Sequence, residues 1–259
     1  MVKFDMDLFS AGLLGIVQGL TEFLPISSSA HLVIVQKLLP NFSQPGILFD
    51  VALHGGTLLA VLIYYRRIVW ELLTFKNPHL MWILIIGTIP AGLAGYFLND
   101  LFESMFASLF WVGITLMISG VMNWFVDSRQ DIGHRAQGTG WLQALTIGIF
   151  QAIAIIPGIS RSSATIFSGT MLGIDKKQAA DFSFLLSIPA ILGAVVLQLT
   201  KHGAAVSDPA PYVVGFILSG IVGYFSIGWL LTLLAKNKYK YFAVYCLIVG
   251  ALVSSFEIL

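Results

Sequence analysis

Apolar residues run in long, almost unbroken stretches along this chain, and polar residues gather in short clusters between them. Stretches at 47–65, 79–98, 108–126, 180–200, 212–235 and 241–258 are each long enough, as helices rising 1.5 Å per residue, to cross about 30 Å of hydrocarbon. Four further helical stretches come in pairs around a proline: 8–24 and 27–38 flank Pro25, and 141–156 and 160–172 flank Pro157-Gly158. Proline has no N–H to continue a helix, so each pair breaks there. The second arm of each pair has about 12 residues, roughly 20 Å as a helix, too short to cross. Each pair therefore predicts a re-entrant hairpin that enters and leaves by the same face. The runs lack the alternation of an outer-membrane barrel.

Composition agrees. The chain is 57% hydrophobic and only 10% charged, where soluble domains carry about 25% charged residues, and its mean hydropathy is +0.88. Too few charges remain to cover a surface in water, so the pattern predicts an all-α integral membrane protein. A net charge of +1 provides no basic surface for nucleic acid. The single cysteine, Cys246, lies in an apolar run and excludes an internal disulfide.

One pattern is written twice. Residues 15–31 read GIVQGLTEFLPISSSAH, and residues 148–165 read GIFQAIAIIPGISRSSAT. A second repeat follows each: Gly92, Gly95, Tyr96 and Phe97 spell G-x-x-G-Y-F, as do Gly220, Gly223, Tyr224 and Phe225. The chain thus divides into halves, 1–126 and 127–259, each a hairpin plus three spans. Three is odd, so the halves must lie in opposite orientations, an inverted repeat that places sites near the membrane midplane. Lys3, Lys37 and Lys201 fall on the side of the N-terminus. Arg66, Arg67, Lys76, Arg129, Arg135, Lys176, Lys177, Lys236, Lys238 and Lys240 fall on the other. The richer side is cytoplasmic by the positive-inside rule, which puts both termini outside.

The halves differ in their chemistry. Only the first carries Glu22 and His31, and only the second carries Arg161. Gln18 and Glu22 are four apart and share a helix face. A carboxylate at bilayer depth costs about 2.5–3.5 kcal/mol, so Glu22 needs a partner or a wet cavity. Ser27, Ser28 and Ser29 follow Pro25, and Ser160, Ser162 and Ser163 follow Pro157-Gly158. The plain reading of these serines is helix capping. The fuller one adds that helix N-termini present free N–H groups to anions. Arg161 among them has the fork that grips phosphate in two places, with an Arg161–Glu22 ion pair as the plainer use of both residues. His31 lies one turn beyond Ser27 and Ser28, and Thr165 one turn beyond Arg161. Asp50 and His54, also one turn apart, sit within a span, where they pair, line a cavity or bind an ion. Asp181 reads as interfacial, and the pairs Gly15/Gly19 and Gly169/Gly173 as sites of close helix packing.

At these residues the chain resembles the undecaprenyl-diphosphate phosphatase family, also called bacitracin-resistance proteins, over essentially its whole length. Gln18 to Glu22 fits that family's [E/Q]-x-x-x-E motif, and Pro157 to Thr165 fits its P-G-x-S-R-S-x-x-T motif. The resemblance implies hydrolysis of a long-chain isoprenyl diphosphate lipid in the bacterial plasma membrane, recycling the carrier used in cell-wall synthesis. It implies a site opening away from the cytoplasm and a divalent metal, Mg²⁺ or Ca²⁺. By position it implies catalytic roles for Glu22, Ser28, His31 and Arg161. On this reading Ser27, Ser29, Gly158, Ser160, Ser162, Ser163 and Thr165 bind substrate. Glu22 is the metal ligand, with Gln18 and Asp50 as secondary candidates. The nucleophile is Ser28, His31 or water. A transporter or flippase of polyprenyl phosphate is the rival reading, since it shares inverted repeats and broken helices. The oligomeric state, a homodimer included, stays open.

Overall fold

In the computed structural model, residues 6–39, 47–98, 101, 105, 108–129, 139–202 and 208–256 are described. Lys3, Arg135 and Ile258, used above to count loop charges and to bound the last stretch, lie outside them. The described residues hold eleven helices and no strand. They are α1 (Leu8–Phe23), α2 (Ser28–Leu38), α3 (Ile47–Tyr64), α4 (Arg66–Leu73), α5 (Pro78–Phe97), α6 (Leu109–Ser128), α7 (Trp141–Ile153), α8 (Arg161–Met171), α9 (Lys176–His202), α10 (Ala210–Ala235) and α11 (Lys240–Phe256).

The helix ends follow local chemistry. Asp7 caps α1 by accepting from the Ser10 amide, Asn77 caps α5 by accepting from that of Leu80, and Ser160 caps α8 by accepting from that of Ser163. Pro25 and Pro157 end the first arms of the two hairpins, α1–α2 and α7–α8. α4 departs from the expected pattern. It is a separate short helix, set at 86° to α3, carrying Arg66 and Arg67, which the sequence reading took as loop charges. It has an apolar side and a charged side, as a helix lying in a membrane interface does.

α5, α6, α9 and α10 are each long and apolar enough to cross a membrane, and α3 meets that measure together with α4. α11 is shorter, at 17 residues. Large apolar side chains such as Trp82, Trp111, Ile217 and Phe225 face outward, which a lipid environment accommodates and water does not. The protein is a multi-pass helical membrane protein.

Helices pair in a recurring way. α1 packs on α10, and α7 packs on α5; α3 packs on α10, and α9 packs on α5; α3 meets α9, and α6 meets α11. Glycines bring the backbones together. A Cβ on Gly15 would lie 2.8 Å from the Gly215 carbonyl oxygen, and one on Gly148 would collide with that of Gly87. The core surrounds the hairpin tips, where Phe23 meets Phe184 edge to face at 5.5 Å.

Breaking two helices inside the protein frees backbone groups that must be paired. α6 supplies much of what they need. Thr115, Ser119 and Asn123, each one turn apart, bond the carbonyl oxygens of Pro157, Gly158 and Pro25 respectively. Ser119 also accepts from the Ser160 amide at 2.8 Å. Ser119→Ala orphans two buried backbone groups at once and is expected to destabilise the protein by about 1–3 kcal/mol. A thermal midpoint in detergent equal to that of the parent would show that this hydroxyl does not hold the tip.

Candidate active site

The two hairpin tips meet, and one carboxylate joins them. Glu22, on the last turn of α1, is 8% exposed. Its Oε1 accepts from Arg161 Nη2 at 2.7 Å. Its Oε2 accepts from Ser28 Oγ at 2.6 Å and from Gln18 Nε2 at 3.1 Å. Ser28 and Arg161 are both the first residue of the second arm of their hairpins, α2 and α8. Glu22 therefore holds one oxygen toward each hairpin. Arg161 also donates from Nη1 to the Ser183 carbonyl at 3.2 Å, which fixes the guanidinium plane.

His54 of α3 faces the same carboxylate, its Nε2 3.8 Å from Glu22 Oε2. Its Nδ1 lies 2.8 Å from the Asp50 carbonyl oxygen. A carbonyl only accepts, so Nδ1 carries a proton, and Nε2 is the ring nitrogen turned to Glu22.

A cavity of about 690 Å³ opens beside this cluster. Glu22, Ser27, Ser28, Ser29, Asp50, His54, Ser160 and Arg161 line its polar part. The rest is a mostly apolar groove between α5, at Ala91, Gly92, Gly95 and Tyr96, and α9, from Pro189 to Val196, with Thr88, Gln151, Gln198 and Thr200 as further polar lining. Tyr96 and Val196 are exposed, so the groove reaches the lipid-facing surface. A Cβ on Gly92 or Gly193 would meet nothing within 4 Å, leaving the passage wide.

The predicted residues divide into those at the cavity and those behind it. Ser27 caps α2 in a left-handed backbone conformation (φ 68°) and shares a hydrogen bond with Ser29, as Ser160 does with Ser162. Ser162 and Ser163 donate to the carbonyl oxygens of Leu24 and Pro25, so they tie one hairpin to the other. Thr165 donates to the Arg161 carbonyl and shares a bond with Ser183. Gly158 has φ +90° and lends its carbonyl to Ser119. His31 stands apart from the cavity: its Nδ1 donates to the Ser27 carbonyl, and its Nε2 accepts from the Tyr245 hydroxyl of α11, both at 2.7 Å. Asp181 accepts from the Tyr65 hydroxyl at the end of α3 and pairs with Lys177 of its own helix, α9. The polar stripe of α6 belongs to neither repeated motif. Its signal was there: Thr115, Ser119 and Asn123 recur every fourth residue in an otherwise apolar span, and such residues find partners inside a bundle.

An ion pair buried where two broken helices meet, with a mostly apolar groove leading from it to the outer surface, suits a membrane protein that handles an anionic lipid head while its chain stays in the bilayer. The chain belongs to the family described as bacitracin resistance protein BacA, which it matches over residues 11–252. It is 39% identical to a protein of Carboxydothermus hydrogenoformans named undecaprenyl-diphosphatase, over 250 residues that cover 95% of both chains. Proteins of the same name from Syntrophotalea carbinolica (41% identical, 95% of this chain and 98% of the relative) and Caldicellulosiruptor bescii (39%, 98% and 99%) are similarly related.

Proposed function

We propose that the protein hydrolyses undecaprenyl diphosphate to undecaprenyl phosphate and inorganic phosphate, recycling the lipid carrier for cell-wall synthesis. The observation that carries the reading is the Ser28–Glu22 hydrogen bond at 2.6 Å, with Arg161 on the other carboxylate oxygen. A nucleophile is joined to a base, and a cation with a phosphate-matching fork stands beside them. The family and its relatives' shared name agree with it.

The diphosphate enters with its chain in the α5–α9 groove and its terminal phosphate between the hairpin tips. Arg161 turns part of its fork from Glu22 to the phosphate oxygens. Ser28 Oγ attacks the terminal phosphorus, and its proton passes to Glu22 Oε2. The bond from phosphorus to the bridging oxygen breaks, and undecaprenyl phosphate departs. Water then takes the phosphoryl group from Ser28, with Glu22 as the proton store. Ser27, Ser29 and Ser160 line the phosphate end, while Ser162, Ser163, Thr165 and Gly158 hold the tips in register. His31, tied to Tyr245, supports α2 from behind.

The donor set fits a divalent ion, Mg²⁺ or Ca²⁺, that arrives with the diphosphate. Among the described residues no three His, Cys, Asp or Glu side chains gather to cage an ion. Yet Gln18 Oε1 is buried beside Glu22 with no hydrogen-bond partner, and Mg²⁺ is commonly held by one carboxylate plus substrate phosphates. Glu22 would hold it from the cavity wall, with Asp50 on the same wall; Gln18, next to Glu22 but off the cavity lining, would reach it only by turning its amide. Such an ion supplies neutralisation of phosphate charge.

The same reading includes an inverted repeat of halves 1–126 and 127–259, with six spans, two hairpins, both termini outside and the site facing away from the cytoplasm. The recurring packing supports it: Gly15 meets Gly215 and Gly148 meets Gly87, and the two motifs align Gly15 with Gly148 and Gly87 with Gly215. A tag after residue 259 reachable only from the cytoplasm would overturn this topology. A flippase shares the architecture but has no use for a serine bonded to a base.

The test is phosphate release from a prenyl diphosphate by purified protein in detergent, with Mg²⁺ or with chelator. Absence of release with metal sinks the phosphatase reading, and equal release in chelator sinks the metal. In the same assay Arg161→Lys keeps a charge but loses the fork, and is expected to lower kcat/KM by about 10²–10³. A fall of less than threefold would remove Arg161 from the phosphate.

A further inference from the structure

Gln151 is a buried polar group that the reaction above leaves unused. It lies in the last turn of α7, is 3% exposed and lines the cavity. Neither its amide oxygen nor its amide nitrogen has a hydrogen-bond partner in the protein. An amide buried in that way costs more than an apolar side chain of the same shape.

Its position and its history in the repeat both point to a ligand. Ala144, Gly148 and Gln151 follow one helical stripe of α7, whose Ala144 and Gly148 meet Gly87 of α5, and Ile155 lies just beyond the helix end. Gly148 sits against the Gly87 backbone, and a Cβ on Gly95 would lie 3.8 Å from Ile155. Gln151 falls between these two crossings in the chain, and Ala91 and Gly92 of α5 line the same cavity. Gln18 occupies the same place in the first copy of the motif and spends its amide on Glu22, four residues on. Four residues beyond Gln151 stands Ile155. The second copy keeps the glutamine without the carboxylate it served.

We infer that Gln151 is a substrate-binding residue whose Nε2–H₂ donates to an oxygen of the phosphate that stays on the lipid. This rests on the phosphatase reading, which places the terminal phosphate at Ser28 and Arg161 and the chain along α5 and α9. The phosphate next to the chain then lies between them, at Gln151.

The experiment compares Gln151→Leu and Gln151→Glu with the parent in detergent. It measures KM for a prenyl diphosphate, competitive inhibition by a prenyl monophosphate and by inorganic phosphate, and the thermal midpoint. For Gln151→Leu the midpoint is expected to hold or rise, because no protein partner is lost. KM and the monophosphate Ki should both rise about 10- to 100-fold, the worth of one hydrogen bond to a charged group. Inhibition by inorganic phosphate should not change. Gln151→Glu places a like charge on the phosphate and should raise both constants further. Unchanged KM and monophosphate Ki overturn the inference. So does a lowered midpoint, which would reveal a structural role, or weakened inhibition by inorganic phosphate alone, which would move Gln151 to the transferred group. If the parent releases no phosphate, the phosphatase reading falls, and direct titration with prenyl monophosphate decides Gln151 separately. Weaker binding by the leucine variant supports the assignment, and equal binding overturns it.

Discussion

Glu22→Gln is expected to lower phosphate release by about 10²–10⁴-fold, the usual worth of a positioned base. The substitution is nearly isosteric, so the tips should still meet. What changes is the hydrogen bonding. Glu22 accepts from Arg161 on one oxygen and from Ser28 and Gln18 on the other. A glutamine has one acceptor, and its amide nitrogen would turn a donor toward Arg161 or toward Ser28 and Gln18. Ser28 then has no anion to take its proton, and the half-buried Arg161 loses its counter-charge. Breaking a buried pair from one side is destabilising, so the thermal midpoint should fall as well. Binding should move the other way: a guanidinium freed from its carboxylate is more available to phosphate, so KM should hold or drop. The measurement is kcat and KM for a prenyl diphosphate beside the thermal midpoint. A kcat within tenfold of the parent would remove Glu22 from proton transfer.

Gly158→Ala is expected to prevent folding or to leave a protein with no measurable activity. At φ +90° an L side chain is strained, and the added Cβ would lie 2.5 Å from the Val112 carbonyl oxygen and against the Thr115 hydroxyl. Overpacking of this kind costs about 1–3 kcal/mol, and the backbone strain adds a similar amount. Together these approach the lower end of the 5–15 kcal/mol that stabilises typical proteins. The turn cannot simply shift, because Thr115 and Ser119 hold the carbonyls on either side of it. Arg161 begins the next helix, so any shift moves the cation from Glu22. Size-exclusion profile, thermal midpoint and phosphate release read the outcome, and parent-like values in all three would contradict the clash.

Helix positions were legible to within a few residues because the punctuation is strong. Pro25, Pro157-Gly158 and the serine caps fix the hairpins, and long apolar runs mark the other helices. α4 was not legible: eight residues beginning with two arginines look like a loop when charges are counted for topology. α9 begins at Lys176, ahead of the expected 180, because its first turn is charged and escapes an apolar window. At the site, Gln18, Glu22, Ser28 and Arg161 could be named from the motifs, since charges and a hydroxyl beside a helix break have few other uses. Which serines face the cavity could not. Ser160, Ser162 and Ser163 sit within four residues of one another, and only the opposing hairpin, distant in sequence, decides that the last two bond Leu24 and Pro25. His31 shows the same limit, because its partner Tyr245 is 214 residues away.

The stripe of Thr115, Ser119 and Asn123 has a mechanical consequence. One helix bonds both broken segments through side chains a single turn apart, so the tips are expected to move as one jaw rather than to part. Motion that admits a bulky chain is then expected at the opposite wall, where Gly92 of α5 and Gly193 of α9 leave open space in the cavity lining. On the proposed function, the end of the cavity with Ser28, Glu22 and Arg161 is expected to stay fixed while the end that meets lipid yields, so that a long hydrocarbon enters sideways.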